Sequence, residues 1–124
     1  MRKFNILLVD DDKINRMLIK AMLSHHPDII QNILEANNGK EALDIIENNN
    51  DINLILLDIF MPIMDGKEFL KIFRSKKKYS SIPVIVLTTD DSKKSDILNL
   101  GADNILIKPV KEEELIKHIT YWQA

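Results

Sequence analysis

Leu54-Ile55-Leu56-Leu57 is a run of four apolar residues that ends on a carboxylate, Asp58, with Met61-Pro62 soon after. A run that short and that apolar suits a strand buried on both faces, as in a parallel sheet. Asp58 then stands at the carboxyl end of the strand, where ligands bind in open α/β sheets. A buried carboxylate is costly unless it is paired, metal-bound or reactive. Asp58 therefore requires partners from elsewhere in the chain.

The pattern recurs along the sequence. Residues 5–9 form a second buried-strand run that leads into Asp10, Asp11 and Asp12. Helical spacing at Ile14, Met17, Leu18, Ala21 and Met22 predicts a first helix with those residues on one face. Asp11 and Asp12 sit where an N-cap and first-turn acids belong. His25 and His26 read as cations closing that helix before Pro27. Residues 33–36 predict a short strand, Asn37-Asn38-Gly39 a turn, and residues 40–48 a second helix with Ala42, Ile45 and Ile46 at helical spacing. The polar stretch 48–51 reads as a loop. After the Asp58 strand and a loop over 61–66, Phe69, Leu70 and Phe73 mark a third helix. Arg74 and Lys76 to Lys78 read as its solvated, dipole-favoured end.

Residues 83–87 predict a fourth strand, which delivers Thr88 and Thr89. A fourth helix around 92–100 has a thin apolar face of Ile97, Leu98 and Leu100, with Gly101 as its stop. Residues 105–107 predict a fifth strand ending at Lys108-Pro109, and Leu115, Ile116, Ile119 and Trp122 define a last helix. Five βα units in alternation imply an α/β fold, a parallel sheet with helices on both faces. Right-handed crossovers bring all five strand ends to one edge.

Asp10, Asp11, Asp58, Thr88 and Lys108 thus converge. Three carboxylates held close repel one another, and a hard divalent cation resolves this, Mg²⁺ preferring carboxylate and water oxygens. A lysine and a hydroxyl beside such an ion complete a clamp for an oxyanion or phosphoryl group. The chemistry reads as phosphoryl transfer to or from a carboxylate, with Asp58 as the nucleophile. Composition excludes other classes. A chain of 124 residues holds one domain. Its net charge of -2 gives no nucleic-acid footprint, and without cysteine there is no disulfide or thiol site. The apolar run 4–9 is too short for a signal peptide, and no stretch approaches a membrane span. The expectation is a cytoplasmic protein with no direct contact to nucleic acid or membrane.

Leu8-Val9-Asp10-Asp11-Asp12, the segment from Leu57 to Gly66, Leu87-Thr88-Thr89 and Lys108-Pro109 together resemble the receiver domain of two-component response regulators, of the CheY-like kind. The resemblance covers essentially the whole chain, 1–124. It implies a doubly wound, flavodoxin-like (βα)5 sheet of strand order 2-1-3-4-5 and a phosphorylation-controlled switch rather than a turnover enzyme. Such a domain assists its own phosphorylation and dephosphorylation. Asp58 would accept the phosphoryl group from a sensor histidine kinase or histidine phosphotransfer protein. Asp11, Asp58 and the carbonyl of Phe60 would bind Mg²⁺ (or Mn²⁺) directly, and Asp10 through water. Lys108 would pair with the acceptor and the phosphoryl group, Thr88 would hydrogen-bond a phosphoryl oxygen and report it, and the Lys108–Pro109 bond would be cis.

Two positions depart from the family pattern. Ile105 stands where an aromatic switch residue is common, so the aromatic half of that switch is missing. The last helix has Glu113 and His118 near the place of an arginine typical of dimerising regulators, so a monomer is expected, with at most a weak dimer on phosphorylation. Because the sequence stops at Ala124, just past the last helix, a stand-alone receiver that signals by contact with a downstream protein is expected. The alternative is an aspartyl-phosphate phosphatase of the haloacid-dehalogenase type, using Asp10 and Asp12, but Lys13-Ile14 replaces the Gly-Thr that such a site carries.

Overall fold

Every residue of the Asp58 strand is buried, and the remaining strands are laid out on either side of it. The structure is a computed structural model that describes residues 2–123. Its elements alternate: β1 (Phe4–Val9), α1 (Lys13–Ser24), β2 (Ile30–Ala36), α2 (Gly39–Glu47), β3 (Leu54–Asp58), α3 (Gly66–Arg74), β4 (Val84–Thr88), α4 (Lys94–Asn99), β5 (Asn104–Ile107) and α5 (Glu112–Tyr121). All strand pairs are parallel, in the order β2-β1-β3-β4-β5. β1 and β3 each have two strand neighbours and helices over both faces, which is why their sequences are apolar at successive positions. β2 lies at an edge, and its polar residues Gln31 and Asn32 are exposed. Those two polar positions hid its first three residues from an apolar-run criterion.

The side-chain alternation of the strands builds two cores. Leu7, Val9, Ile55, Leu57, Val84 and Val86 pack against Ala42 and Ile46 of α2, Phe69, Leu70 and Phe73 of α3 and Ile97 of α4. Ile6, Leu8, Leu54, Leu56, Ile85 and Leu87 face Ile19 and Leu23 of α1 and Leu115 and Ile119 of α5. Three helices therefore cover one face and two the other. Phe73 is stacked between Phe69 and Tyr79, with ring centroids 5.2 and 5.0 Å away.

Several details differ from the sequence expectation. α1 does not bury the predicted face: Ile14, Met17 and Leu18 are 67%, 59% and 57% exposed, and the buried residues are Ile19 and Leu23. Apolar residues cover more than half of this helix's circumference, so the spacing alone does not fix which side turns inward. The expected 92–100 helix is a 3-10 turn at Asp91–Lys93 followed by the short α4, in which Ile97 is the buried residue and Leu98 is exposed.

Arg74 is not a solvated helix end. Its guanidinium donates to the carbonyls of Gly101 and Tyr79 and to the Asp103 carboxylate at 2.9, 2.9 and 2.8 Å. Asp103 Oδ2 also accepts the Val84 amide at 2.8 Å, so the clamp fixes the entry of β4. His25 and His26 both reach Glu112 at the start of α5, each at 3.0 Å, and so link two helices rather than merely closing one. Asn48 and Asn49 are spent on the last carbonyls of α2, those of Asp44 and Ile45.

Candidate metal and phosphoryl-acceptor site

The site's three acids come from the carboxyl ends of the neighbouring strands β1 and β3. Asp10 follows β1, and its amide donates to the Ala36 carbonyl of β2 at 3.1 Å, so it is still held in the sheet. Its Oδ1 accepts from the Asp12 amide at 2.8 Å. Asp12 is the N-cap of α1, accepting from the amides of Ile14 and Asn15, as Asp at this position should. Asp58 is the last residue of β3 and is 7% exposed, with Asp10 4% exposed. Asp58 Oδ1 accepts the Ile59 amide at 2.9 Å. The chain then turns sharply back: the Gly66 amide donates to the Ile59 carbonyl at 2.8 Å, and a Cβ at residue 66 would lie 2.5 Å from the Asp58 carbonyl oxygen. Glycine is required there by that close approach.

Carboxylate oxygens of Asp10, Asp11 and Asp58 lie within 4.8 Å of one another. Lys108, just after β5, brings its Nζ to 3.4 Å from Asp10 and 3.5 Å from Asp58. One ammonium faces three carboxylates. Burial pushes the Asp58 carboxyl above its ordinary range and Asp10 adds to the push, while Lys108 and the Ile59 amide pull it back. Negative charge is thus in excess where solvent is scarce, and the donor set is all oxygen. That is the chemistry of a hard divalent cation. Asp11 is exposed, on the open side of the cluster.

The other predicted residues take their places on the same edge. Thr88 ends β4, is 1% exposed, pairs with Ile107 in the sheet, and its hydroxyl accepts the Asp90 amide at 3.3 Å. The Lys108 amide donates to the Thr88 carbonyl at 2.8 Å, which couples the two. The Lys108–Pro109 peptide is cis. Phe60 follows β3 and is 56% exposed. Ile105 is half-buried in β5 opposite Val86, packed against the core that carries α2, α3 and α4. A groove of about 480 Å³ adjoins the acids between α1 and the turn after β5, with Leu18, Met22, Pro109 and Val110 on its walls and Asp10 and Lys108 at its edge.

The residue that sequence reasoning passed over is Arg16. Its Nη1 donates to the Asp10 carbonyl at 2.6 Å and its Nε to Glu35 of β2 at 2.9 Å. Lys20 holds the other Glu35 oxygen at 2.9 Å, and these two cations keep Glu35 below the ordinary carboxylate range, Lys20 foremost. The available signal was its phase: Arg16 shares a helix face with Ile19 and Leu23. The Asp10–Asp12 pair of the phosphatase alternative is not assembled, because Asp12 is exposed, committed to capping, and outside the carboxylate cluster.

A family model described as the response regulator receiver domain matches residues 6–120. A chemotaxis protein CheY homologue of Campylobacter jejuni is 37% identical over 114 residues, covering 89% of this chain and 85% of its own length. A histidine kinase of Formosa agariphila is 43% identical over 122 residues, 94% of this chain but 8% of the kinase. Among solved structures, the receiver domain of a sensor histidine kinase from Pseudomonas aeruginosa, with a magnesium ion coordinated in its active site cleft, superposes with a TM-score of 0.85 at 27% identity, covering 97% of each chain.

Proposed function

The chain belongs to the response regulator receiver family, and on that premise we propose that it is a phosphorylation-controlled switch whose acceptor is Asp58. The single observation that carries this reading is the buried Asp58 carboxylate at the end of the central strand, with two further carboxylates and the Lys108 ammonium gathered around it. Asp11, Asp58 and the carbonyl of Phe60 would hold Mg²⁺, with Asp10 assisting through water. When bound, the ion neutralises the carboxylates and the oxygens of an incoming phosphoryl group. Mn²⁺ satisfies the same oxygen donors.

The chain's own residues do the rest. An ionised Asp58 oxygen forms a bond to the phosphorus of a phosphohistidine as the nitrogen–phosphorus bond breaks. The bonding electron pair leaves with the imidazole, which takes up a proton. Lys108 supplies positive charge to the phosphoryl oxygens. The Thr88 hydroxyl turns from the Asp90 amide toward a phosphoryl oxygen, and the movement is reported through β4 and β5. With Ile105 in place of an aromatic ring, that response is smaller or differently placed. The donor is a sensor histidine kinase or a histidine phosphotransfer protein, and the groove beside Lys108 with the exposed apolar side of α1 supports its approach. The output is contact with a downstream protein, from a cytoplasmic domain that is monomeric or at most weakly dimeric when phosphorylated. Among the described residues no helix is long and apolar enough to cross a membrane.

Intact mass after treatment with acetyl phosphate and Mg²⁺ tests the acceptor. One phosphoryl adduct is expected on the wild type and none on Asp58→Asn or in excess EDTA. An adduct of equal yield on Asp58→Asn would place the acceptor elsewhere.

A further inference from the structure

α1 is turned in an unexpected way. It leaves Ile14, Met17 and Leu18 in solvent and uses part of its inner face for a cation, Arg16, whose side chain is 12% exposed. Hydrophobic burial alone favours a rotation that covers the larger apolar residues. Arg16 meets two anchors at once. Glu35 of β2 fixes the guanidinium from one side, and the Asp10 carbonyl accepts from it on the other. That carbonyl belongs to the peptide joining Asp10 to Asp11. The same Asp10 residue is tied at its amide to Ala36 and at its carboxylate to Asp12. Asp11 is exposed, so its placement rests on the peptide that Arg16 pins.

We propose that Arg16 is a positioning residue: its fork, braced by Glu35, fixes the Asp10–Asp11 peptide and so aims the Asp10 and Asp11 carboxylates at a divalent cation. The inference rests on the metal site proposed above and assigns a residue outside that donor set. Charge and position make opposite demands here. A guanidinium beside an acidic pocket disfavours a cation by charge alone, so its removal should then tighten binding. As a brace, its removal should weaken binding. Lysine keeps the charge but cannot reproduce a planar fork that reaches two acceptors.

The experiment is a calorimetric Mg²⁺ titration of the full chain, paired with amide exchange in EDTA. Arg16→Met should bind Mg²⁺ about tenfold more weakly, as loss of an outer-sphere partner does elsewhere. Arg16→Lys should fail to restore binding. Glu35→Gln, which keeps an acceptor for Nε but loses its charge, should weaken binding in the same direction by a smaller factor. In the metal-free protein the Asp12 amide should exchange faster in Arg16→Met, because the Asp10 carboxylate that holds it is loosened. Melting in EDTA shows whether Arg16→Met is folded, and if it is not, Arg16→Lys and Glu35→Gln carry the test. Equal or tighter binding by the folded Arg16 variants, or full rescue by lysine, overturns the assignment while leaving the metal site intact. A wild type that binds no Mg²⁺ overturns the site and the assignment together.

Discussion

Asp58→Asn should stabilise the metal-free protein at neutral pH, although it removes a buried ion-pair partner. Burying a carboxylate costs several kcal/mol after relaxation, here taken as about 3. At an effective dielectric near 20, a second carboxylate within 4.8 Å adds at least roughly 3.5 kcal/mol. Lys108, 3.5 Å away, returns at most about 4.7 kcal/mol, and it shares that attraction with Asp10. The balance is a net cost of about 2 kcal/mol for the ionised Asp58, in line with a carboxyl held above its ordinary range.

That direction fixes the pH dependence. Below about pH 4 both folded and unfolded states carry the proton and the cost vanishes. As pH rises through the raised folded value the wild type loses stability that Asp58→Asn keeps. Melting the two proteins in EDTA at neutral pH should show the variant higher by about 4–8 °C, with the gap closing as the pH falls. Mg²⁺ at ten times its dissociation constant should return about 1.4 kcal/mol to the wild type and less to the variant, which has lost a ligand. A variant that melts lower than the wild type in EDTA, with a gap insensitive to pH and an equal response to Mg²⁺, would refute the crowded-carboxylate account.

Other consequences can be measured directly. Lys108→Ala should depress phosphoryl-adduct formation from acetyl phosphate more than it depresses Mg²⁺ affinity. Loss of metal affinity alone would contradict the role given to Lys108. Arg74→Leu leaves two carbonyls and the Asp103 carboxylate without their cation, so urea denaturation should show a loss of about 2–3 kcal/mol; an unchanged midpoint would mean water replaces the clamp at no cost. Ile63 has φ 69°, a left-handed conformation costly for a β-branched residue, and it is 78% exposed. Ile63→Asn should therefore raise stability by about 0.5–1 kcal/mol, and a lower urea midpoint would show that the Ile63 side chain contributes packing that its exposure does not suggest.

The legible parts of this protein were those set by one-dimensional patterns. Strands buried on both faces must be continuously apolar, so residues 5–9, 54–57 and 83–87 declared themselves, and the polar residue closing each run marked the functional edge. Asp10, Asp11, Asp58, Thr88 and Lys108 follow from that logic, and the structure gathers the three acids and the lysine within a few ångströms. What stayed hidden depends on contacts between distant segments. The inner face of α1 was illegible because apolar residues cover more than half of its circumference, and the rotation it takes places Arg16 against Glu35 and the Asp10 carbonyl, which come together only once β1 and β2 are paired. Arg74 looked like one more cation in a basic run until β4 and Asp103 were folded against it. His25 and His26 found Glu112, 87 and 86 residues away in sequence. Periodicity reports how a segment meets a generic apolar interior, whereas a charged group's partner is a particular atom on another element, and only the tertiary structure supplies its address.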